Sequence, residues 1–127
     1  MMQKQSSNRR TKGTQGEDSA LHTLEQNGYT LLCRNYTCPG SEIDLVVTRE
    51  NYICFVEVKL RSVLSGNNAA HAVDGNKLSR IQKGIENFFE EYKDNMYVTS
   101  LIPRIDVFEI YTENGTIVKH NHITGIS

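Results

Sequence analysis

The sequence predicts an α+β domain, one mostly buried sheet with helices against it, in the order helix, three strands, helix, two strands. Three observations carry that reading. Residues 52–60 are apolar on both faces, with Ile53 and Phe55 on one and Tyr52, Cys54, Val56 and Val58 on the other. A strand of that kind is covered on both sides. Leu78, Ile81, Ile85, Phe88, Phe89 and Tyr92 recur at helical spacing and predict an amphipathic helix over 74–92. Asn114-Gly115, between apolar runs at 104–111 and 116–120, reads as a tight hairpin turn.

The first helix is expected to open at Thr14, because Thr14-Gln15-Gly16-Glu17 has the capping-box spacing. Ala20, Leu21 and Leu24 form its narrow apolar stripe, and Gly28 is its stop. Residues 29–36 read as a strand that ends in the turn Cys38-Pro39-Gly40. The runs 43–47 and 52–60 flank Arg49-Glu50-Asn51 and form a hairpin with a short loop. Residues 62–73 are a Gly/Asn/Ala-containing connector, long enough for its length alone to point to a role in substrate choice.

With 127 residues and 38% hydrophobic content, the chain holds a single core-bearing domain, 13–127, behind a short arm, 1–12. No apolar run approaches the ~18 residues of a membrane span, and the first ten residues lack the hydrophobic stretch of a secretory signal. Cys33, Cys38 and Cys54 are odd in number and form no C-x-x-C pair. This argues against a disulfide framework or zinc knuckle and for a reducing cytoplasm. The net charge of −1 conceals an asymmetry: Lys4, Arg9, Arg10 and Lys12 make the arm purely basic, while all 15 acidic residues lie in the body. The arm either touches nucleic acid or is a solvated, frayed terminus. An acidic body argues against tight non-specific affinity for DNA, which needs many phosphate contacts.

The chemistry concentrates in Glu42-Ile43-Asp44 and Glu57-Val58-Lys59. Alternation puts Ile43, Leu45 and Val47 on one face and Glu42 and Asp44 on the other. A loop at Glu50-Asn51 sets Asp44 opposite Glu57 and Glu42 opposite Lys59. Two facing carboxylates on a buried sheet repel each other and are costly to desolvate. A divalent cation between them removes the repulsion, and Mg²⁺ favours one or two carboxylates plus waters and phosphate oxygens. Two acids and a lysine around such an ion form a site for phosphodiester hydrolysis. The competing reading makes Glu42–Lys59 a cross-strand ion pair and leaves Asp44 and Glu57 at strand ends. A one-residue slip in register would separate the two acids.

Glu17 is either a third acid, on the buried stripe with Ala20, Leu21 and Leu24, or the partner of Thr14 in the capping box. The second helix runs against its macrodipole, with Lys77, Arg80 and Lys83 early and Glu86, Glu90, Glu91 and Asp94 late. A bound phosphate backbone would rationalise that order, and an ordinary solvated face is the alternative. His120-Asn121-His122 lacks the spacing of a metal-ligand set, His22 and His71 are isolated, and Arg104 and Asp106 share a strand face as ion-pair candidates. No P-loop, G-x-G-x-x-G, G-x-S-x-G or H-E-x-x-H pattern occurs.

Gly16-Glu17, Gly28-Tyr29, Arg34-Asn35-Tyr36, Ser41-Glu42-Ile43-Asp44-Leu45-Val46 and Phe55-Val56-Glu57-Val58-Lys59-Leu60-Arg61, followed by Lys77 and Arg104-Ile105-Asp106-Val107, together resemble a bacterial family. It is the YraN-like family, grouped with the Holliday-junction-resolvase-like, restriction-endonuclease-like PD-(D/E)xK nucleases, and the likeness spans about residues 13–111. It implies a restriction-endonuclease-like core. It also implies Mg²⁺ or Mn²⁺ held by Asp44, Glu57 and the Val58 carbonyl, Lys59 orienting the water, and Glu17 as the additional helix acid. Ser41 departs from the glycine usual before E-I-D.

Three functions follow as expectations. The first is a metal-dependent DNA endonuclease, structure-specific forms on branched DNA included, with Arg61, Lys77 and Arg80 on the nucleic acid. A junction resolvase needs two sites and hence a homodimer. The second is a non-catalytic nucleic-acid-binding module of the same fold, and the third an interaction scaffold with relic carboxylates.

Overall fold

Strand β3 (Tyr52–Ser62) is the axis of the molecule, and the other elements are placed by what it needs covered. The computed structural model describes residues 12–63 and 75–126, with the side chains of 12–14 left aside. Helix α1 (Lys12–Gln26) is followed by β1 (Thr30–Cys38), β2 (Ser41–Arg49) and β3. Then come α2 (Gly75–Glu91), the short α3 (Met96–Thr99), β4 (Ile102–Glu113) and β5 (Thr116–Ile123). The five strands form one sheet in the order β1-β2-β3-β4-β5, antiparallel throughout except for the parallel pair β3–β4. This mixed sheet between helices is the restriction-endonuclease-like α+β core that the sequence predicts.

Both faces of β3 are apolar because both are covered. Cys54 and Val56 join Leu45, Val47, Phe108 and Ile110 beneath Ala20 and Leu24 of α1. Ile53 and Phe55 join Cys33, Ile43 and Val46 beneath Phe88 of α2, with Val98 and Leu101 closing the edge. The buried face of α2 also carries Gly84, where an added Cβ would stand 2.5 Å from Ser41 Oγ and 2.9 Å from Ile43 Cδ1. Helix and strand approach this closely only because that side chain is missing.

The punctuation signals act as expected at three turns. Gly28 (φ 93) ends α1 in a Schellman motif, its N–H on the Glu25 carbonyl and the Tyr29 N–H on the Leu24 carbonyl. Asn114 (φ 53) and Gly115 (φ 80) make the β4–β5 hairpin between the partners Glu113 and Thr116. Gly40 (φ 83) supplies the left-handed residue of the β1–β2 turn, so Ser41 enters β2 without strain.

Four expectations need correcting. Thr14 is helical, inside an α1 that already includes Lys12, so it is not the N-cap. Ile43 sits with the α2-side cluster while Leu45 and Val47 sit on the α1 side. Strict alternation therefore breaks at Asp44, opposite Asn35, whose positive φ (52) resets the pleat between the partners Arg34↔Leu45 and Tyr36↔Ile43. Helix α3 carries no periodic signal and exists through its cap, the Asn95 side chain accepting from the Val98 N–H at 3.0 Å. Strands β1, β2, β4 and β5 all run past the expected apolar stretches. Residues 1–11 of the basic arm, 64–73 of the connector and His71 lie outside the described residues. Cys33, Cys38 and Cys54 form no disulfide, and no helix among the described residues is long and apolar enough to cross a membrane.

Candidate functional site

The β2–β3 ladder keeps the expected register from Arg49↔Tyr52 to Leu45↔Val56 and stops there. Beyond that point β2 pairs only with β1, through Ile43↔Tyr36 and Glu42↔Thr37, while β3 continues along β4 as far as Ser62↔Thr112. The sheet thus opens between β2 and β3, and Asp44 stands at the opening. It is not a ladder partner of Glu57. Its Oδ2 accepts the Val58 N–H at 2.8 Å, so a side chain takes over the backbone bond that the ladder would have made. In an extended strand a residue's N–H and C=O point to the same edge, so the Val58 carbonyl faces the opening too.

Glu57 is only 7% exposed. Lys77 Nζ lies 3.0 Å and Lys59 Nζ 3.5 Å from its Oε2, the first reaching from α2 and the second from two residues further along β3. The expected Glu42–Lys59 pair is therefore replaced, because the strands have separated before Glu42 and Lys59 could face each other. Burial, and after it the Glu57 charge, pushes the Asp44 carboxyl up to about 7 against the pull of the Val58 N–H. Glu17 and Glu42 add to that rise. Glu17 is itself raised by burial, against the opposing pull of Arg34 and of hydrogen bonds with Arg34, Asn35 and Asp44. The Arg34 guanidinium reaches Glu17 Oε1 at 3.5 Å and Asp18 Oδ1 at 2.8 Å. Glu17 thus belongs to the acidic cluster and not to a helix cap.

Beside the opening runs a groove of about 410 Å³ between the β1–β2 turn and the first half of α2, lined by Cys38, Ser41, Glu42, Lys77, Arg80 and Ile81 among others. The reversed charge order of α2 has partners at both ends: Lys77 meets Glu57, and Glu91 accepts the Tyr36 hydroxyl at 2.8 Å. Arg61 is not in this groove. Its Nε lies 3.7 Å from Oε2 of Glu109, a fully buried acid that also accepts from Tyr111 and Asn121 at 3.0 Å each.

Glu109 is not among the residues that the sequence singles out, although a charged residue on the inward alternation of Ile105 and Val107 is a legible signal. Asp106 is a further buried acid, fully enclosed and gripped by Arg104 through two 2.9 Å bonds. His122 at 2.9 Å and the Gly125 N–H at 3.1 Å complete its shell. Burial alone would raise its pKa, but the bonds from His122, Arg104 and Gly125 outweigh that and hold it low. This cluster ties β4, β5 and the following turn together.

Two carboxylates and a strand carbonyl are hard oxygen donors of the kind that Mg²⁺ and Mn²⁺ take. The high pKa of Asp44 marks negative charge that positive charge nearby would relieve. In that respect the residues present fit a divalent cation. Among the described residues, however, no three His, Cys, Asp or Glu side chains are already grouped to hold one.

A mixed five-stranded sheet with acids at the splayed end of its β2–β3 hairpin places the molecule among proteins with the restriction-endonuclease-like core. The chain belongs to the uncharacterised protein family UPF0102, the YraN-like family, whose model matches residues 16–110. Glu17, Asp44, Glu57, Lys59, Arg61, Lys77 and Arg80 all lie inside that range. The chain is similar to a UPF0102 protein of Caldanaerobacter subterraneus, 36% identical over 118 residues, which are 91% of this chain and 93% of the relative. A UPF0102 protein of Myxococcus xanthus is 36% identical over 119 residues, 92% of this chain and 89% of the relative. One from Neisseria gonorrhoeae is 41% identical over 80 residues, 63% of this chain and 70% of the relative.

Proposed function

We propose that this protein is a divalent-cation-dependent endonuclease that hydrolyses DNA phosphodiester bonds, with branched duplexes among its substrates. The observation that supports this most is the opening between β2 and β3. There Asp44 and Glu57 repel each other beside Lys59, next to a groove carrying Lys77 and Arg80. Asp44, Glu57 and the Val58 carbonyl would hold Mg²⁺ or Mn²⁺, which when bound supplies a Lewis acid and lowers the pKa of a coordinated water. Lys59 keeps a positive charge where the attacked phosphate gains negative charge. Glu17, held by Arg34, adds its charge to that felt by Asp44. Lys77 and Arg80 meet the phosphates of the strand. Arg61 acts from a distance, through Glu109, in holding the end of β3 in place. A four-way junction as substrate would require two such sites, and hence two copies of the chain.

A second reading, a nucleic-acid-binding module that does not cut, is favoured by the two lysines already on Glu57 and by the lack of a preformed three-acid group among the described residues. The two are separated by labelled duplex, single-stranded, flap and four-way-junction DNA, incubated in Mn²⁺ or Mg²⁺ with wild type and with Glu57→Ala purified identically. The endonuclease reading expects cutting by the wild type alone. Binding without cutting by either protein would select the second reading.

A further inference from the structure

Glu57 already has its charge answered. Two ammonium groups, Lys77 Nζ at 3.0 Å and Lys59 Nζ at 3.5 Å, stand on the same oxygen, Oε2. The carboxylate side chain is 8% exposed and each lysine side chain 31%, so the acid is enclosed and the bases reach it from the surface. A divalent ion that takes Oε2 as a ligand would come within a few ångströms of both ammonium groups, and like charges that close repel strongly in a partly buried site. At least one lysine has to leave. Lys59 stands on β3, the direct ladder partner of Glu109, and is not among the residues that line the groove. Lys77 comes from α2 on a flexible stem, and that stem also lines the groove with Arg80. Lys77 is the one with somewhere to go.

We propose that Lys77 is an internal counter-ion that competes with the divalent cation for Glu57 and, once displaced, turns into the groove to meet a phosphate of the bound strand. The inference rests on the endonuclease reading for the cation itself. Cation and polyanion binding then favour each other, by an equal factor in both directions, because each benefits from the lysine position that the other selects. The sign of the consequence is unusual for a basic residue beside a metal site. Removing Lys77 strengthens cation binding by the free protein while it uncouples the cation from the nucleic acid.

The test is calorimetric titration of Mn²⁺ into wild type, Lys77→Met and Lys77→Arg, all free of nucleic acid, with Lys77→Gln replacing the methionine variant if that one does not fold. Lys77→Met is expected to bind Mn²⁺ about tenfold more tightly, equivalent to ~1.4 kcal/mol, and Lys77→Arg to stay near the wild type. In parallel, the anisotropy of a labelled DNA duplex should show tighter binding on addition of Ca²⁺ to the wild type, and little such gain in Lys77→Met. Mn²⁺ binding that is unchanged or weaker in Lys77→Met overturns the counter-ion while leaving the cation site standing. Failure of the wild type to bind Mn²⁺ removes the endonuclease reading and this inference together.

Discussion

Asp44→Asn isolates the electrostatic cost of the opened sheet end. In the wild type the carboxyl moves from 3.8 to about 7, through burial first and the Glu57 charge second. At ~1.36 kcal/mol per pH unit, that displacement amounts to ~4 kcal/mol held against the folded state once Asp44 is ionised. Neighbouring groups and water relax around the ionised Asp44, so about half of that, ~2 kcal/mol, is the expected effect. The native state keeps its proton over the interval in which the unfolded chain has lost it. Stability therefore falls as pH rises from the ordinary carboxyl range to about 7, then levels off. The amide side chain keeps an acceptor for the Val58 N–H, now bonded at 2.8 Å, so the geometry of the opening is retained. Urea unfolding followed by circular dichroism, with chelator present, should find the variant ~2 kcal/mol more stable at pH 8 and within ~0.5 kcal/mol of wild type at pH 4. A gain of equal size at both pH values, or none at pH 8, would refute the reasoning.

Two further substitutions test the frame that holds the site. Gly84→Ala gains ~1 kcal/mol of helix propensity and loses ~1–3 kcal/mol by driving a methyl into Ser41 Oγ and Ile43 Cδ1. A net loss of ~1 kcal/mol is expected in the urea midpoint, and a stabilised variant would show that α2 can lift without cost. Asp106→Ala strands the Arg104 guanidinium and should cost ~3–5 kcal/mol in thermal unfolding, so a loss under ~1 kcal/mol would contradict the role given to this cluster. Because the Asp106 pKa is lowered, its stabilising share is present above the ordinary carboxyl range and is lost as pH falls through that lowered value, the reverse of Asp44.

Much of the fold was legible because its signals are short-range. The doubly apolar run of β3, the helical spacing from Leu78 to Tyr92 and the turn residues Gly28 and Asn114-Gly115 each report a local constraint, and each holds in the structure. The acids at the hairpin end were legible for the same reason, since the loop length sets the register. What escaped the sequence depends on three-dimensional approach. The pleat reset at Asn35 and Asp44 has no composition signature. Nor does the early end of the β2–β3 ladder, which a side chain brings about by taking a backbone partner. Lys77 stands out in the sequence by charge order and by the resemblance, and its reach to Glu57 is a tertiary fact. Glu17 was ambiguous until Thr14 proved helical.

The split of the site between a hairpin and a crossover also bears on how the chain folds. Asp44 and Val58 are 14 residues apart, and β1, β2 and β3 form a contiguous meander that can close early. Lys77 reaches Glu57 only when α2 has swung across to bring β4 alongside β3, a non-local and slower event. The nascent meander thus carries Asp44 within reach of the Glu57 charge before Lys77 arrives. Its folding rate should slow as pH rises through the range in which Asp44 ionises, while unfolding changes less, a pattern that the two arms of a chevron recorded at pH 5 and pH 8 would reveal. On this view the charges suited to holding a metal ion also set the speed at which the molecule is made.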